Sequence, residues 1–254
     1  MRTSKTLARI RAGEAIRTCN LGHYIPGFVG NAARSGFDCI WLDLEHRAMT
    51  TREVQALLAF AHVFDIDIMV RRPTSEAPAL YRFLEDRAAG LLLPMVSTAA
   101  EAEQLVQAVQ FPPIGNRGLD GVGFDSDFGG HSIDDYVAWA QRETFLAVQI
   151  ETPEAVAHAD AIAAVPGVDL IFVGPGDLGL RLKDRADLTL DDAWQAVADA
   201  CRKHGKAFGG PTFSTDEAER RRGQGAQMLV IAGEFRSWKN ALADAAESFK
   251  QSLD

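Results

Sequence analysis

The 254-residue chain sets 26 Lys and Arg against 35 Asp and Glu, a formal net charge of -9 at pH 7. An acidic surface of that size repels phosphate backbones and anionic headgroups, which argues against nucleic acid and membranes and for a cation as partner. With 47% hydrophobic and 24% charged residues, the composition excludes a disordered or fibrous chain and fits a folded, water-soluble one.

From the N-terminus, "MRTSKTLARIRAGE" is amphipathic and charged and lacks the apolar stretch of a signal peptide or membrane span, so a cytoplasmic protein is expected. Apolar runs then alternate with helix-period segments. Strands are expected at 16–22, 39–45, 67–72, 90–96, 145–151, 169–175, 207–213 and 228–234. Helical patterns such as "TREVQALLAFAHVF", "AEAEQLVQAVQ" and "LDDAWQAVADACRKHG" fall between them. Repeated strand–helix units of that number close into a (β/α)8 TIM barrel, an α/β fold in one domain over residues 1–254. A doubly wound open sheet rarely needs so many parallel strands and leaves two edges to protect.

One segment breaks the rhythm. Residues 111–136, "FPPIGNRGLDGVGFDSDFGGHSIDDY", form a long Gly- and Asp-rich connection, expected to lie over the barrel mouth or to reach a neighbouring subunit. Cys19, Cys39 and Cys201 are an odd set with no CxxC pair, which suits reduced thiols rather than a disulfide framework.

In a parallel barrel every strand delivers its C-terminal end to the same face, so polar residues there converge. The second strand runs into Asp43, Glu45 and His46, the third into Arg71 and Arg72, the fifth into Gln149 and Glu151, and the sixth into "GPGDLG" with Asp177. Strand alternation sends at most one of Arg71 and Arg72 toward the axis, and puts Gln149 and Glu151 on one face. Two carboxylates brought together at a barrel mouth repel unless a cation neutralises them, and an oxygen-rich set without paired His or Cys suits Mg²⁺ or Mn²⁺. Taken singly, Glu151 and Asp177 could instead be helix N-caps. His46 at this rim titrates near neutrality and can act as a general base, while an arginine offers fixed positive charge to an enolate or carboxylate oxygen. The amides of "GPGDLG" could hold a carboxylate.

The stretches "GFDCIWLDLEHRAMT", "LEDRAAGLLLPMV", "FPPIGNRG", "VQIETPEAV" and "GVDLIFVGPGDL", in order from about residue 36 to 180, resemble the metal-dependent (class II) pyruvate aldolases, the group of 4-hydroxy-2-oxoheptanedioate aldolase and 2-dehydro-3-deoxyglucarate aldolase. The resemblance implies Glu151 and Asp177 as ligands of a divalent metal (Mg²⁺, Mn²⁺ or Co²⁺), with Gln149, Asp177 and the backbone around Gly176 on the 2-oxo acid. It makes His46 the catalytic base, Arg71 the arginine of an "RVP"-like pattern, and Asp43 the aspartate near the histidine. Glu85, with Asp86 as the fallback, takes the place of the carboxylate that raises the basicity of the histidine. The ends of the seventh and eighth strands, "GGPTFSTDE" and "IAGEFRSW", depart from the common members. Hexamers built as trimers of dimers are further implied, with the terminal helix "SWKNALADAAESFKQSL" exchanged between subunits.

The chemistry implied is reversible cleavage of a 4-hydroxy-2-oxo acid to an aldehyde and pyruvate, or a related 2-oxo acid such as hydroxypyruvate, through a metal-stabilised enolate. A Schiff-base aldolase needs a desolvated lysine inside the barrel, and none falls there in the pattern. The same barrel would also suit a citrate-lyase-like lyase of CoA thioesters, or a protein that binds an acidic metabolite without turning it over.

Overall fold

Eight parallel strands close on themselves in sequence order: β1 (Ile16–Leu21), β2 (Cys39–Asp43), β3 (Asp67–Arg71), β4 (Gly90–Leu93), β5 (Phe145–Ile150), β6 (Leu170–Val173), β7 (Ala207–Pro211) and β8 (Met228–Gly233). This is the (β/α)8 barrel expected from the spacing. The structure is a computed structural model that describes residues 1–73 and 76–253. All eight strands stop short of the expected ends; β2 closes at Asp43, so Glu45 and His46 lie in the turn beyond the ladder.

The outer layer begins with α1 (Lys5–Ala12), α2 (Pro26–Arg34), α3 (Thr51–Val63), α4 (Ala77–Glu85), α5 (Ala99–Val109) and α6 (Ile133–Glu143). It continues with α7 (Pro153–Ala157), α8 (Ala159–Ala163), α9 (Pro175–Leu182), α10 (Leu190–His204), α11 (Thr215–Gly223) and α12 (Glu234–Leu253). Local chemistry sets several starts. Thr50 with Glu53, Thr98 with Glu101 and Thr189 with Asp192 each form a reciprocal capping box that satisfies two free backbone amides.

Alternation divides the core in two. Ile40, Leu42, Val70, Val148 and Ile171 pack outward against the helices, while Ile16, Cys39, Met69, Phe145, Ala147, Phe172 and Met228 fill the barrel interior. Helix α1 closes the N-terminal end of the barrel. Its Leu7 joins the interior cluster, and Asp67, at the start of β3, accepts hydrogen bonds from Ser4 Oγ (2.7 Å) and the Thr6 amide (2.8 Å).

The long connection does not cover the mouth. Asp127 pairs with the N-terminal amine of Met1 (2.9 Å) and with Arg87, the Asp125 amide donates to the carbonyl of Glu85, and Phe124 packs edge-on against His62. All of these partners belong to the N-terminal end of the barrel, opposite the mouth. Composition revealed the length of the loop but not the end it covers. Among the described residues, no helix is long and apolar enough to cross a membrane. Helix α12 leaves Phe235, Trp238, Leu242 and Phe249 exposed along its length.

Candidate active site

The register of β2 and β3 sets Asp43 opposite Arg71. Both side chains point inward and are nearly buried, and they meet in a two-pronged ion pair: Nη2 to Oδ2 at 2.8 Å and Nε to Oδ1 at 3.0 Å. The remaining terminal nitrogen, Nη1, reaches Glu45 Oε2 at 3.0 Å, and the guanidinium lies 4.5 Å from the ring centre of Trp41. Asp43 also accepts from the amides of Glu45 (3.0 Å) and His46 (3.3 Å), which fixes the turn after β2. Burial works against the ionised form of Asp43, yet the bonds and charge of Arg71 together with the two amides hold its carboxyl below the usual carboxylate range.

On the other side of the mouth, Gln149 in β5 and Glu151 just past its end meet on one face as the period-two pattern predicts, with Gln149 Nε2 donating to Glu151 Oε2 at 2.5 Å. The second oxygen of Glu151 accepts from the Met95 amide at 2.7 Å. Glu151 is not a helix cap: Thr152 takes that role for α7, accepting from Ala155. Burial pushes the Glu151 carboxyl above its ordinary range; the charges of Glu45 and Asp177 add to this, against the Met95 amide and Arg71. Gly174 is required here by contact, because a Cβ would sit 2.6 Å from Gln149 Nε2 and 2.7 Å from Glu151 Oε2. Asp177 lies in the first turn of α9, where Gly174, not Asp177, is the N-cap residue; its Oδ1 accepts from Arg181 at 2.8 Å.

At the C-terminal ends of the strands lies a cavity of about 420 Å³. Arg71, Gln149, Glu151, Gly176 and Asp177 all line it, as do Asn20, Trp41 and Phe172 on the floor. No lysine lines it among the described residues; Lys206 is spent at the opposite end on the carbonyls of Val165 and Val168.

A divalent cation fits this arrangement. The donors are all oxygen, Glu151 is a buried acid with no cationic ion-pair partner among the described residues, and Gln149 Oε1 is buried without a hydrogen-bond partner. No cluster of three or more His, Cys, Asp or Glu able to hold a metal occurs among the described residues, so Glu151 and Asp177 would leave the other coordination positions to substrate and water.

Two expected site residues stand elsewhere. His46 sits at the rim with an exposed imidazole, Nε2 3.7 Å from Glu45 Oε2, and does not line the cavity. Glu85 ends α4 at the N-terminal side of the barrel, so one protomer does not bring it to its own His46; its neighbours are Arg117, Asp125, Arg82 and Asp120. Burial, with Asp125 and Asp120, raises the Glu85 carboxyl. Asp86, the fallback, accepts from Gln55 at 3.0 Å and is no closer. Of the two arginines, Arg71 enters the barrel and Arg72 does not.

The outer wall supplied none of the expected site residues, although Phe213, Phe235 and Arg236 fall in the two departing strand ends. It is made by Arg47, Phe213, Phe235 and Arg236, beside Glu234, which is buried at the start of α12 and accepts from the Gly22 amide (2.7 and 2.9 Å) and contacts His23 Nδ1 (2.7 Å). Strand parity alone could have found Asn20, Trp41 and Phe172; the rim residues follow strand ends in turns, where no periodicity marks them.

Comparison with known proteins decides the family. The model of the family described as HpcH/HpaI aldolase/citrate lyase matches residues 22–241. The chain belongs to this family. Within it, the chain is 36% identical over 247 residues to the hydroxypyruvate/pyruvate aldolase of Pseudomonas aeruginosa, spanning 95% of this chain and 91% of the relative. It is 32% identical over 223 residues to the 5-keto-4-deoxy-D-glucarate aldolase of Shigella boydii, spanning 85% of each. Among solved structures, the HpcH/HpaI aldolase from Desulfitobacterium hafniense DCB-2 superposes with a TM-score of 0.89 at 28% identity, covering 96% of this chain and 95% of that one.

Proposed function

We propose that the protein is a divalent-metal-dependent aldolase that reversibly cleaves 4-hydroxy-2-oxo acids to an aldehyde and pyruvate, or a related 2-oxo acid such as hydroxypyruvate. The observation that carries this reading is that Glu151, Asp177 and Arg71 line one cavity in which, among the described residues, no lysine takes part. Relatives named as hydroxypyruvate/pyruvate aldolase and 5-keto-4-deoxy-D-glucarate aldolase support it.

Glu151 and Asp177 would hold the cation (Mg²⁺, Mn²⁺ or Co²⁺), which when bound supplies Lewis-acid polarisation of the 2-oxo acid. Gln149 and the amides at Gly176 orient the acid's carboxylate. Arg71 spends three N–H groups on Asp43 and Glu45, which leaves one on each terminal nitrogen for the oxygen that gains charge as the enolate forms. Asp43 holds that guanidinium in place. His46 takes the proton from C3 of the 2-oxo acid, directly or through a water, and returns one in the cleavage direction. Glu85 supports His46 from a neighbouring copy, since the two lie at opposite ends of one barrel. The active form is a homo-oligomer, a hexamer of three dimers, and the apolar side chains exposed along α12 fit its exchange between subunits. Three buried free cysteines fit a reducing, cytoplasmic setting.

The test is incubation with pyruvate and a small aldehyde in the presence of each divalent ion, following formation of the 4-hydroxy-2-oxo acid. Product that depends on the ion and disappears with chelator supports the reading. Turnover that survives chelator, or is trapped by borohydride, contradicts it.

A further inference from the structure

The metal-facing end of the cavity is accounted for by the 2-oxo acid, but the outer wall carries charge that this substrate does not use. Arg47 and Arg236 both line that wall, and among the described residues neither has a carboxylate within ion-pair distance, although acids outnumber bases by 35 to 26 in the chain. Their hydrogen bonds go to backbone carbonyls. Arg236 donates to Thr212 O at 3.1 Å and to Ile231 O, and Arg47 donates to His46 O at 2.7 Å.

Their placement is built. The stem of Arg47 runs over Gly22 so closely that a Cβ there would meet its Cγ at 2.6 Å. The amide of Gly22 is pinned by the buried Glu234, and the Arg47 guanidinium stands 5.7 Å from the ring centre of Phe235, the next residue in the chain. One buried carboxylate therefore fixes the loop beneath one arginine and the first turn of the helix that carries the other. Phe213 and Phe235 line the same cavity and give its wall apolar surface, which weakens the competition from water for any anion bound there.

We infer that Arg47 and Arg236 are specificity-determining residues that hold an anionic group at the far end of the acceptor aldehyde, a carboxylate or a phosphate. The inference rests on the aldolase reading, because it takes the metal-facing end as the donor site and assigns the remaining length to the aldehyde. The acceptor enters with its carbonyl toward Arg71 and its anion between the two outer arginines. An uncharged aldehyde fills the same wall but leaves both guanidiniums without a counter-charge.

The test compares kcat/KM, with pyruvate as donor, for 4-oxobutanoate against butanal and for glyceraldehyde 3-phosphate against glyceraldehyde. It uses the wild type, Arg47→Gln, Arg236→Gln and the double variant. The wild type should favour the anionic member of at least one pair; the pair that shows the larger preference identifies carboxylate or phosphate. Each single substitution should reduce that preference about 10- to 100-fold. Arg47 is exposed and its variant spares the packing of β8, so it carries the test if Arg236→Gln misfolds. Exchange of the pyruvate methyl protons is read alongside. Equal preference in the wild type while exchange proceeds, or variants that lose both members of a pair equally, overturns the inference. Absence of both exchange and turnover in the wild type overturns the aldolase reading and this inference with it.

Discussion

Arg71 and Asp43 face each other in register across β2 and β3 and meet through two parallel hydrogen bonds, at 2.8 and 3.0 Å, inside the barrel mouth. Lysine has a single point of attachment and cannot reproduce the fork. Arg71→Lys should therefore lower kcat about 100-fold, the usual cost of one donor aimed at developing negative charge. Arg71→Met leaves Asp43 in a nearly buried position without its counter-charge, and should cost about 3–5 kcal/mol of unfolding free energy in urea titration. A variant as stable and as fast as the parent would show that the pair is ornamental.

Glu151 is a buried carboxyl without a cationic ion-pair partner among the described residues. Its carboxyl is buried, held above its ordinary range by burial and by Glu45 and Asp177. In Glu151→Gln the new amide can donate to Gln149 if the Gln149 amide turns, which satisfies the otherwise unpartnered Gln149 Oε1. The substitution should raise metal-free stability by about 1 kcal/mol, roughly 2–4 °C in Tm, as read by thermal unfolding in chelator. A fall in Tm would mean that the acid is structurally paired in a way the geometry does not contain.

The pH dependence of stability has an identifiable contributor at the far end of the barrel. Asp169, just before β6, accepts from the Leu146 amide at 2.9 Å, and burial pushes its carboxyl up to about 6, against the amide, Lys206 and Arg11. The unfolded chain releases this proton near the ordinary value of about 4. Between those pH values the folded state binds more protons than the unfolded one, so stability should fall as pH rises from about 4 to 6. Asp169→Asn keeps the acceptor and removes the titration. Urea unfolding at closely spaced pH values should show this slope in the parent and its loss in the variant.

Much of this was readable from residues alone. Period-two alternation with eight apolar runs pointed to the closed barrel, and the same parity placed Gln149 with Glu151 and sent only one of Arg71 and Arg72 inward. Strand ends overshot because a polar residue after the last ladder bond looks like one within it, as with Glu45 after Asp43. Of the two destinations expected for residues 111–136, the barrel mouth is not the one taken, since Gly and Asp content reveals a solvated loop without the end it covers. The separation of Glu85 from the His46 of its own chain was also legible. The run "LEDRA" precedes the fourth strand, and barrel topology puts every helix-to-strand turn at the N-terminal side, away from His46.

His46 is assigned the proton transfer although its imidazole is exposed and stands outside the cavity lining. His46→Ala should leave pyruvate binding intact, as read by calorimetry in the presence of Mn²⁺, while exchange of the pyruvate methyl protons falls about 10²- to 10⁴-fold. Exchange at the parental rate would move the base elsewhere on the rim.

The central claim is that Glu151 and Asp177 together hold the cation on which enolate formation depends. The most direct measurement is deuterium uptake into the methyl group of pyruvate, by NMR, as a function of added Mg²⁺, Mn²⁺ or Co²⁺. It is run in the parent, Glu151→Gln and Asp177→Asn. Uptake should require the ion, stop with chelator, and be lost in both variants. Uptake that proceeds in chelator, or survives in either variant at the parental ion concentration, would contradict the account.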